Sequence, residues 1–340
     1  MKKKFLILMG LLLVAYVVGF IAFRQEPNPN ATAPSLTRDQ INQIQKTVKE
    51  SNFKGNVTVY KDRKKAWQLT TANDPNSAYL INSTQKILTA GLVMQQVDAH
   101  KLDLNAKLNQ FYPNTPGGDK ISVMNLLEMT SGLTASALGN SPYQNDDDNV
   151  NKLISSLNFD QNKLSQWDYQ DVNYALLSHI LEKATGQSYE QLFNNMYINP
   201  LKLYHTGFMW NDNATRSRIK LAPATKPVDI DAVHGLLGAG SVGMSNDDLY
   251  NATEALLDEK LLSDSSRVVI YGTGNNSPHY RGGFYDNGAY FSANGSGYNY
   301  FTFLRISKDG KDAVIFQTNT GGNFNDLSNK VTQIYKNIAQ

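Results

Sequence analysis

Strand-forming segments stand at both ends of this 340-residue chain, and a mainly helical stretch separates them. Near the N-terminus, GNVTVYKD and KKAWQLT, within residues 55–70, are rich in β-branched and aromatic residues, which predicts a hairpin. Residues 281–320 alternate aromatic and aliphatic side chains with Gly, Asn and Asp-Gly turns. This arrangement predicts an α+β fold, in which N- and C-terminal strands form one antiparallel sheet with flanking helices and a mainly helical insertion.

Helices are expected next to these strands. Residues 35–51 place Ile41, Ile44 and Val48 at helical spacing, and residues 324–340 predict a closing helix. The acidic segment QNDDDNV, residues 144–150, lacks the spacing and glycine of a calcium loop, so we expect a solvated turn there.

The first 24 residues differ from the rest. Lys2, Lys3 and Lys4 precede an uncharged run, 5–23, and Arg24 follows it. Nineteen residues of helix span roughly 28 Å, close to the hydrocarbon thickness of a bilayer. A cleaved signal peptide is the alternative, but no small-x-small cleavage site precedes Arg24, which favours an uncleaved anchor.

This anchor predicts the placement of the whole chain. Its lysines lie before the span, so the positive-inside rule puts the remainder outside the cytoplasm. Residues 25–35 are polar and Pro-rich and predict a linker, followed by an extracytoplasmic domain over 36–340. We therefore expect a single-pass protein of the cell membrane, with the membrane contacted through the N-terminal helix.

Composition excludes several function classes. The chain has no cysteine, which excludes disulfides, thiol catalysis and cysteine-ligated metals. Without the four basic residues of the N-terminal segment, 28 basic residues stand against 30 acidic ones, and no basic block predicts nucleic-acid binding. The five histidines have no metal-ligand spacing, so we predict neither a metal nor a cofactor.

Ser-x-x-Lys occurs at three places, 51–54, 83–86 and 217–220, and only the second opens an apolar run with helical spacing. On a helix, Lys86 can reach Ser83, and the partial positive charge of a helix start suits a developing oxyanion. A desolvated lysine near other cations loses its proton more easily and can act as a base. The alternative interpretation is a serine cap with an exposed lysine.

A second candidate is Tyr-x-Asp. Tyr169 and Asp171 directly precede an amphipathic helix that Gly186 is expected to end. A tyrosine in a loop beside a helix can enter a cleft and relay a proton. The alternative is a partly buried tyrosine that only packs.

Four segments in a fixed order resemble the penicillin-recognising serine hydrolases: class C type β-lactamases, D-Ala-D-Ala carboxypeptidases and related esterases. They are NSTQKILTAGLVMQQ, ISVMNLLEMTSGL, YQDVNYALLSHILEKATG and LLGAGSVGMSNDDLY. The second has Glu128 and Met129 where the family usually has Thr-His. The fourth makes AGSVG, around Ser241, the Gly-rich turn of the family rather than a nucleophile elbow. The resemblance implies a β-lactamase/transpeptidase-like fold.

The resemblance also implies roles for individual residues. Ser83 becomes the acyl-accepting nucleophile, and Lys86 becomes its base and orienting group. Tyr169 becomes the proton shuttle that later activates the deacylating water. The backbone N–H of Ser83, with another from the strand near 292–295, would form the oxyanion hole.

Two positions depart from the family pattern. A strand-edge Lys-x-Gly or His-x-Gly is usual, but here the stretch is Ser292, Ala293, Asn294 and Gly295, without a cation. Asp171 replaces the usual Asn. These five residues are the predicted substrate-binding positions, and an added carboxylate favours an ammonium by about 1–3 kcal/mol. The sequence therefore resembles the branch of the family that removes D-alanyl esters from teichoic acid.

Two alternatives remain open at this point. One is a D-Ala-D-Ala carboxypeptidase or penicillin-binding protein, and the other is a non-catalytic wall-binding domain on the same fold. All three hypotheses predict a cell-wall polymer, teichoic acid or peptidoglycan peptide, as the partner.

Overall fold

The computed structural model describes residues 35–139, 142–210, 220–272 and 279–339. The predicted anchor (1–24), the linker up to residue 34 and Ser217 of the third Ser-x-x-Lys lie outside these ranges. All described residues belong to one compact unit. Within them, no helix is both long and apolar enough to cross a bilayer.

An antiparallel sheet joins the two ends of the described chain. Its seven strands, as far as the structure describes them, are Gly55–Lys61 (β1), Lys64–Thr70 (β2), Tyr280–Arg281 (β8), Phe284–Asp286 (β9), Tyr290–Gly297 (β10), Tyr300–Ser307 (β11) and Ala313–Thr318 (β12). They run in the order β2-β1-β12-β11-β10-β9-β8. The predicted α+β fold, with a sheet completed by both ends, is confirmed.

Two small sheets lie within the helical insertion. In the first, Val242–Met244 (β7) lies between Tyr79–Leu80 (β3) and Thr206–Phe208 (β6) and pairs with both. In the second, Leu133–Ala135 (β4) pairs with Leu157–Phe159 (β5). The sequence did not predict them, because strands of two or three residues are too short for an alternating pattern.

Helices cover both faces of the large sheet. Their bounds are Arg38–Glu50, Lys86–Asp98, Leu108–Phe111, Val123–Leu127, Asp146–Ser155, Val172–Thr185, Tyr189–Phe193, Asn199–Leu201, Ile230–His234, Asn246–Leu257, Asp264–Tyr271 and Phe324–Ile338. The first and last pack together on one face, and the helices between them lie on the other. The predicted N-terminal and closing helices are both present.

Side-chain alternation in the sheet separates these two layers. In β11, Phe301 and Phe303 face the terminal helices, whereas Leu304 and Ile306 face the insertion. In β10, Ala293 belongs to the core on the insertion side. Because side chains alternate along a strand, positions 292 and 294 point to the opposite side.

The acidic segment forms a helix start, and the prediction of a solvated turn was wrong. Asn145 caps the helix Asp146–Ser155, since its side chain accepts a hydrogen bond from the Asp148 N–H at 2.8 Å. Three aspartates then occupy the first turn, where the helix dipole favours negative charge. Asn145 followed by aspartates is a favourable helix start, but the run of like charge made it read as a solvated turn.

Candidate active site

Ser83 lies in a tight helical turn, Asn82–Gln85, which leads directly into the helix Lys86–Asp98. Asn82 has φ 48°, a conformation that non-glycine residues rarely adopt. Its buried side-chain amide donates to the carbonyls of Leu80 and Tyr300, each at 3.2 Å. These bonds hold the turn between β3 and β11 and leave Ser83 half-buried at its surface.

Lys86 is fully buried and contacts three oxygens. Its Nζ donates to Ser83 Oγ at 2.9 Å and to the Ala239 carbonyl at 3.1 Å. The same nitrogen lies 2.6 Å from Asp171 Oδ1. The structure therefore brings Ser83, Lys86 and Asp171 together, although Asp171 comes from a distant segment of the chain.

The charge on Lys86 differs from the expectation. Burial by itself lowers the pKa of the Lys86 ammonium, but Tyr169 and Asp171 outweigh this effect, and the pKa is raised above its usual value. Cationic neighbours would make Lys86 a base, whereas the structure places the Asp171 carboxylate beside it. In the free enzyme Lys86 thus keeps its proton and serves first as a hydrogen-bond donor to Ser83.

Tyr169 and Asp171 come from the loop before the helix Val172–Thr185. The Tyr169 ring centroid lies 5.2 Å from Lys86 Nζ. Asp171 occupies the N-cap position, yet its side chain makes no capping bond. Its Oδ1 is buried beside Nζ without an aligned hydrogen bond, so the contact is an ion pair, while 39% of the side chain stays exposed. Because Oδ1 is buried, the exposed fraction belongs to the rest of the Asp171 side chain.

The Gly-rich segment supports the nucleophile turn from behind. Gln85 Oε1 accepts hydrogen bonds from the backbone N–H groups of Ser241 at 2.5 Å and Val242 at 3.0 Å. Ser241 is fully buried and its hydroxyl also points to Gln85, at 3.3 Å. Ser241 therefore holds a structural turn and is not accessible as a second nucleophile.

Strand β10 passes directly against the nucleophile turn. A Cβ atom at Gly295 would lie 2.0 Å from the Ile81 carbonyl oxygen, so only glycine allows this approach. A Cβ at Gly297 would lie 2.6 Å from Asn82 Oδ1. The strand predicted to complete the oxyanion hole thus borders Ser83, and which of its amides does so stays a prediction.

The side chains of Ser292 and Asn294 have other partners. Ser292 Oγ accepts from Asn287 Nδ2, and Asn294 Oδ1 accepts from Arg305 Nη1, both at 2.9 Å. Arg305 also donates to the Ser328 hydroxyl of the closing helix, on the face away from Ser83. Ala293 is buried. Of the predicted segment, the backbone and Gly295 are therefore left to meet a substrate.

Several supporting groups were missed by the sequence analysis. The Ala239 carbonyl binds Lys86, but a backbone group carries no side-chain signal. Tyr280 packs edge-on against Tyr169, with ring centroids 5.7 Å apart, although more than 100 residues separate them. This contact forms because the fold places β8 against the helical insertion, which the sequence does not show. In the described ranges, no His, Asp and Glu side chains form a group that could hold a metal ion.

The arrangement suits nucleophilic catalysis. A half-exposed serine hydroxyl contacts a buried ammonium, a tyrosine lies beside that ammonium, and the start of a helix adds free backbone N–H groups. These are the parts required to form and resolve a covalent ester on Ser83.

Comparisons with known proteins identify the family to which this chain belongs. The beta-lactamase family model matches residues 42–333. A relative from Bacillus subtilis (strain 168), named "Putative penicillin-binding protein PbpX", is 29% identical over 320 residues, covering 88% of this chain and 79% of that protein. A "Teichoic acid D-alanine hydrolase" from Staphylococcus aureus is 26% identical over 337 residues, covering 92% and 83%.

Solved structures agree with the fold. FmtA from Staphylococcus aureus superimposes with a TM-score of 0.75 at 24% identity, covering 92% of both proteins. The D-amino acid amidase from Ochrobactrum anthropi SV3, complexed with L-phenylalanine amide, gives a TM-score of 0.71 at 16% identity, covering 89% of this protein and all of that one. The chain belongs to the beta-lactamase family and is a serine hydrolase.

Proposed function

We propose that the protein is a D-alanyl esterase that removes D-alanine from teichoic or lipoteichoic acid through an acyl-enzyme on Ser83. One observation carries the proposal: Asp171 pairs with Lys86 at 2.6 Å and keeps 39% of its side chain exposed beside Ser83. Residues 292–295 supply no cation to balance this exposed carboxylate toward an anionic substrate.

The electrostatics favour an ammonium over a carboxylate. Lys86 is fully buried and already paired, so it offers no free positive charge to an incoming anion. Asp171 Oδ2 can accept a charge-assisted hydrogen bond from the ammonium of a D-alanyl ester. A D-Ala-D-Ala peptide instead ends in a carboxylate, which the Asp171 charge repels.

The proposed reaction has two halves. Ser83 Oγ attacks the ester carbonyl, the ester C–O bond breaks, and the polymer hydroxyl leaves with the serine proton, carried by Lys86 and Tyr169. Water then attacks the D-alanyl-Ser83 carbonyl, the acyl C–Oγ bond breaks, and D-alanine leaves. Tyr169 relays the proton of the water to Ser83 Oγ, which restores the serine. Backbone N–H groups of Ser83 and β10 hold the oxyanion.

In the proposed reaction, substrate binding also lowers the pKa of Lys86, which is protonated in the free enzyme. A second ammonium at Asp171 shares the carboxylate that stabilises the Lys86 charge. The pKa of Lys86 then falls relative to the free enzyme, because a nearby positive charge disfavours another one. The lysine is thereby brought closer to acting as a base only when an ammonium substrate is present.

The family relatives and the N-terminal segment support this substrate. A relative covered over 83% of its length is named a teichoic acid D-alanine hydrolase. We further propose that residues 1–24 anchor the protein in the cell membrane, with residues 36–340 as an extracytoplasmic domain on a linker. An anchored enzyme outside the cytoplasm would reach wall polymers.

A second candidate is a D-Ala-D-Ala carboxypeptidase, favoured by the relative named as a penicillin-binding protein. In the test, the purified full-length protein is given either lipoteichoic acid carrying D-alanyl esters or an N-acylated D-Ala-D-Ala peptide, and released D-alanine is measured. We expect release from lipoteichoic acid and none from the peptide, with Ser83→Ala inactive on both. Release from the peptide alone would establish the carboxypeptidase instead.

A further inference from the structure

Four aromatic rings cluster beside the loop that carries Tyr169 and Asp171. Tyr280 lies at the centre, with ring centroids 5.7 Å from Tyr169, 5.0 Å from Tyr285 and 6.4 Å from Trp167. Trp167 also meets Tyr285 nearly edge-on, at 6.5 Å and 70°. The fold brings these rings together from two distant segments, 167–169 and 280–285.

The rings differ in exposure. Tyr280 is 2% exposed and serves as the support of the cluster, whereas Trp167 is 47% exposed. Tyr169 and Tyr285 are half-buried. A tryptophan that served only packing would bury more of its area, so the outer part of the cluster presents ring surface to an incoming molecule.

Asp171 lies two residues from Tyr169, and its Oδ1 is 2.6 Å from the same Lys86 Nζ that the Tyr169 ring faces. Burial, together with the charges of Tyr169 and Asp171, raises the pKa of Tyr285 to about 12. On the inner side, Lys86 Nζ already lies 5.2 Å from the Tyr169 ring centroid, within cation–π distance. Among the described residues, no lysine or arginine makes a cation–π contact with Trp167, Tyr280 or Tyr285.

The lysine nearest to Trp167 in the sequence, Lys163, already has a partner. Lys163 Nζ pairs with Asp168 at 2.7 Å. Asp168 also accepts from Gln170 Nε2 at 3.3 Å. Asp168 is therefore neutralised locally, whereas Asp171 keeps 39% of its side chain exposed.

We propose that Trp167 and Tyr285, together with Asp171 Oδ2, form the subsite that receives the substrate ammonium. The proposal rests on the proposed esterase function and names the residues that give it selectivity. The carboxylate accepts a hydrogen bond from the ammonium, and the ring faces attract the remaining positive surface. Trp167 and Tyr285 are thus specificity-determining residues, which bind without taking part in the chemistry.

The test uses the full-length protein and two esters that differ in charge, D-alanyl glycerol and D-lactyl glycerol. Trp167→Ala should lower the kcat/KM preference for the D-alanyl ester about tenfold, mainly through KM, because a cation–π contact is lost. Trp167→Phe, which keeps a ring, should restore most of the preference. Tyr204→Ala removes an exposed aromatic ring outside the cluster and should leave the preference at the wild-type value.

Equal losses on both esters, or an unchanged preference in Trp167→Ala, would overturn the subsite. Calorimetric titration of Ser83→Ala with D-alanyl glycerol gives a second readout, since adding Trp167→Ala should raise its Kd about tenfold. If the wild-type protein cleaves neither ester, the esterase function fails, and the titration alone decides the subsite. An unchanged Kd would then reject it.

Discussion

The long helices of this molecule begin in two different ways. Among the described helices of eight residues or more, five have an N-cap side chain that accepts a backbone N–H, supplied by Thr37, Asn145, Ser245, Ser263 and Asn323. The helices that begin at Lys86 and Val172 have no such bond. These two carry the candidate active site.

The difference shows how helix starts are used at the site. Asp171 is a residue type that caps well, and a cap contributes about 1 kcal/mol. Its carboxylate instead lies 2.6 Å from Lys86 Nζ. The stability of a cap is given up so that a serine, a lysine and an aspartate at two helix starts can meet. Local rules fail at the positions where chemistry is expected.

The largest expected effect is a loss of activity when the candidate nucleophile Ser83 is replaced, whereas replacing the capping residue Ser245 should affect stability alone. Ser83→Ala should reduce kcat/KM for the D-alanyl ester at least about a thousandfold, because the covalent step is lost, with little change in the free energy of unfolding. Ser245→Ala should cost about 1 kcal/mol of stability, because its bond from the Asp248 N–H at 3.2 Å is lost, and leave kcat/KM unchanged. Kinetics and urea unfolding of both variants check this, and a folding defect in Ser83→Ala would contradict it.

The close approach of β10 to the nucleophile turn gives the next largest effect. Gly295→Ala would place a Cβ 2.0 Å from the Ile81 carbonyl oxygen and push the strand away from Ser83. We expect about a hundredfold loss of kcat/KM and about 1–3 kcal/mol of destabilisation. Gly288→Ala is the control, since its φ of +79° is strained but no atom lies within 4 Å. Equal kinetics in the two variants would show that β10 does not shape the site.

The ion pair at the uncapped start predicts a pH dependence. The folded-state pKa of Lys86 is raised, so the stability that its charge contributes is fully present below the unfolded value of about 10.4 and is lost as the pH rises through the folded value. The difference in unfolding free energy between wild type and Lys86→Met should be constant below about pH 10 and shrink above it. Denaturant titrations up to alkaline pH measure this, and a difference that grows with pH would refute the pairing.

The smallest expected effect is at a capped helix, where stability is lost as the pH falls rather than as it rises. His234 ends the helix Ile230–His234, capped by Asp229, and stacks between Tyr143 and Trp210 at 3.7 Å from each. Burial, partly offset by Asp231, lowers its pKa to about 4. The unfolded protein therefore takes up this proton first, and stability falls as the pH drops from about 6.5 toward 4. His234→Phe keeps the stack and should weaken that fall in thermal unfolding, with activity retained. An unaltered pH slope would argue against a neutral His234.

The sequence predicted the large sheet and its terminal helices, because their alternation and helical spacing extend over many residues. It also predicted the proximity of Ser83 and Lys86, which lie one turn apart. It could not predict the state of the Lys86 proton, since that depends on Asp171, 85 positions later in the sequence. Nor could it show that the Asn294 side chain turns to Arg305, because strand register decides which face a residue occupies.

Asp171, turned away from its own helix, is the residue that we propose selects an ammonium substrate. The direct measurement is the ratio of kcat/KM for D-alanyl glycerol to that for D-lactyl glycerol in wild type and Asp171→Asn. The ratio cancels any shared loss that the variant causes through Lys86. We expect it to fall about tenfold or more, in line with a lost charge-assisted hydrogen bond of about 1.5–3 kcal/mol. An unchanged ratio would contradict the account.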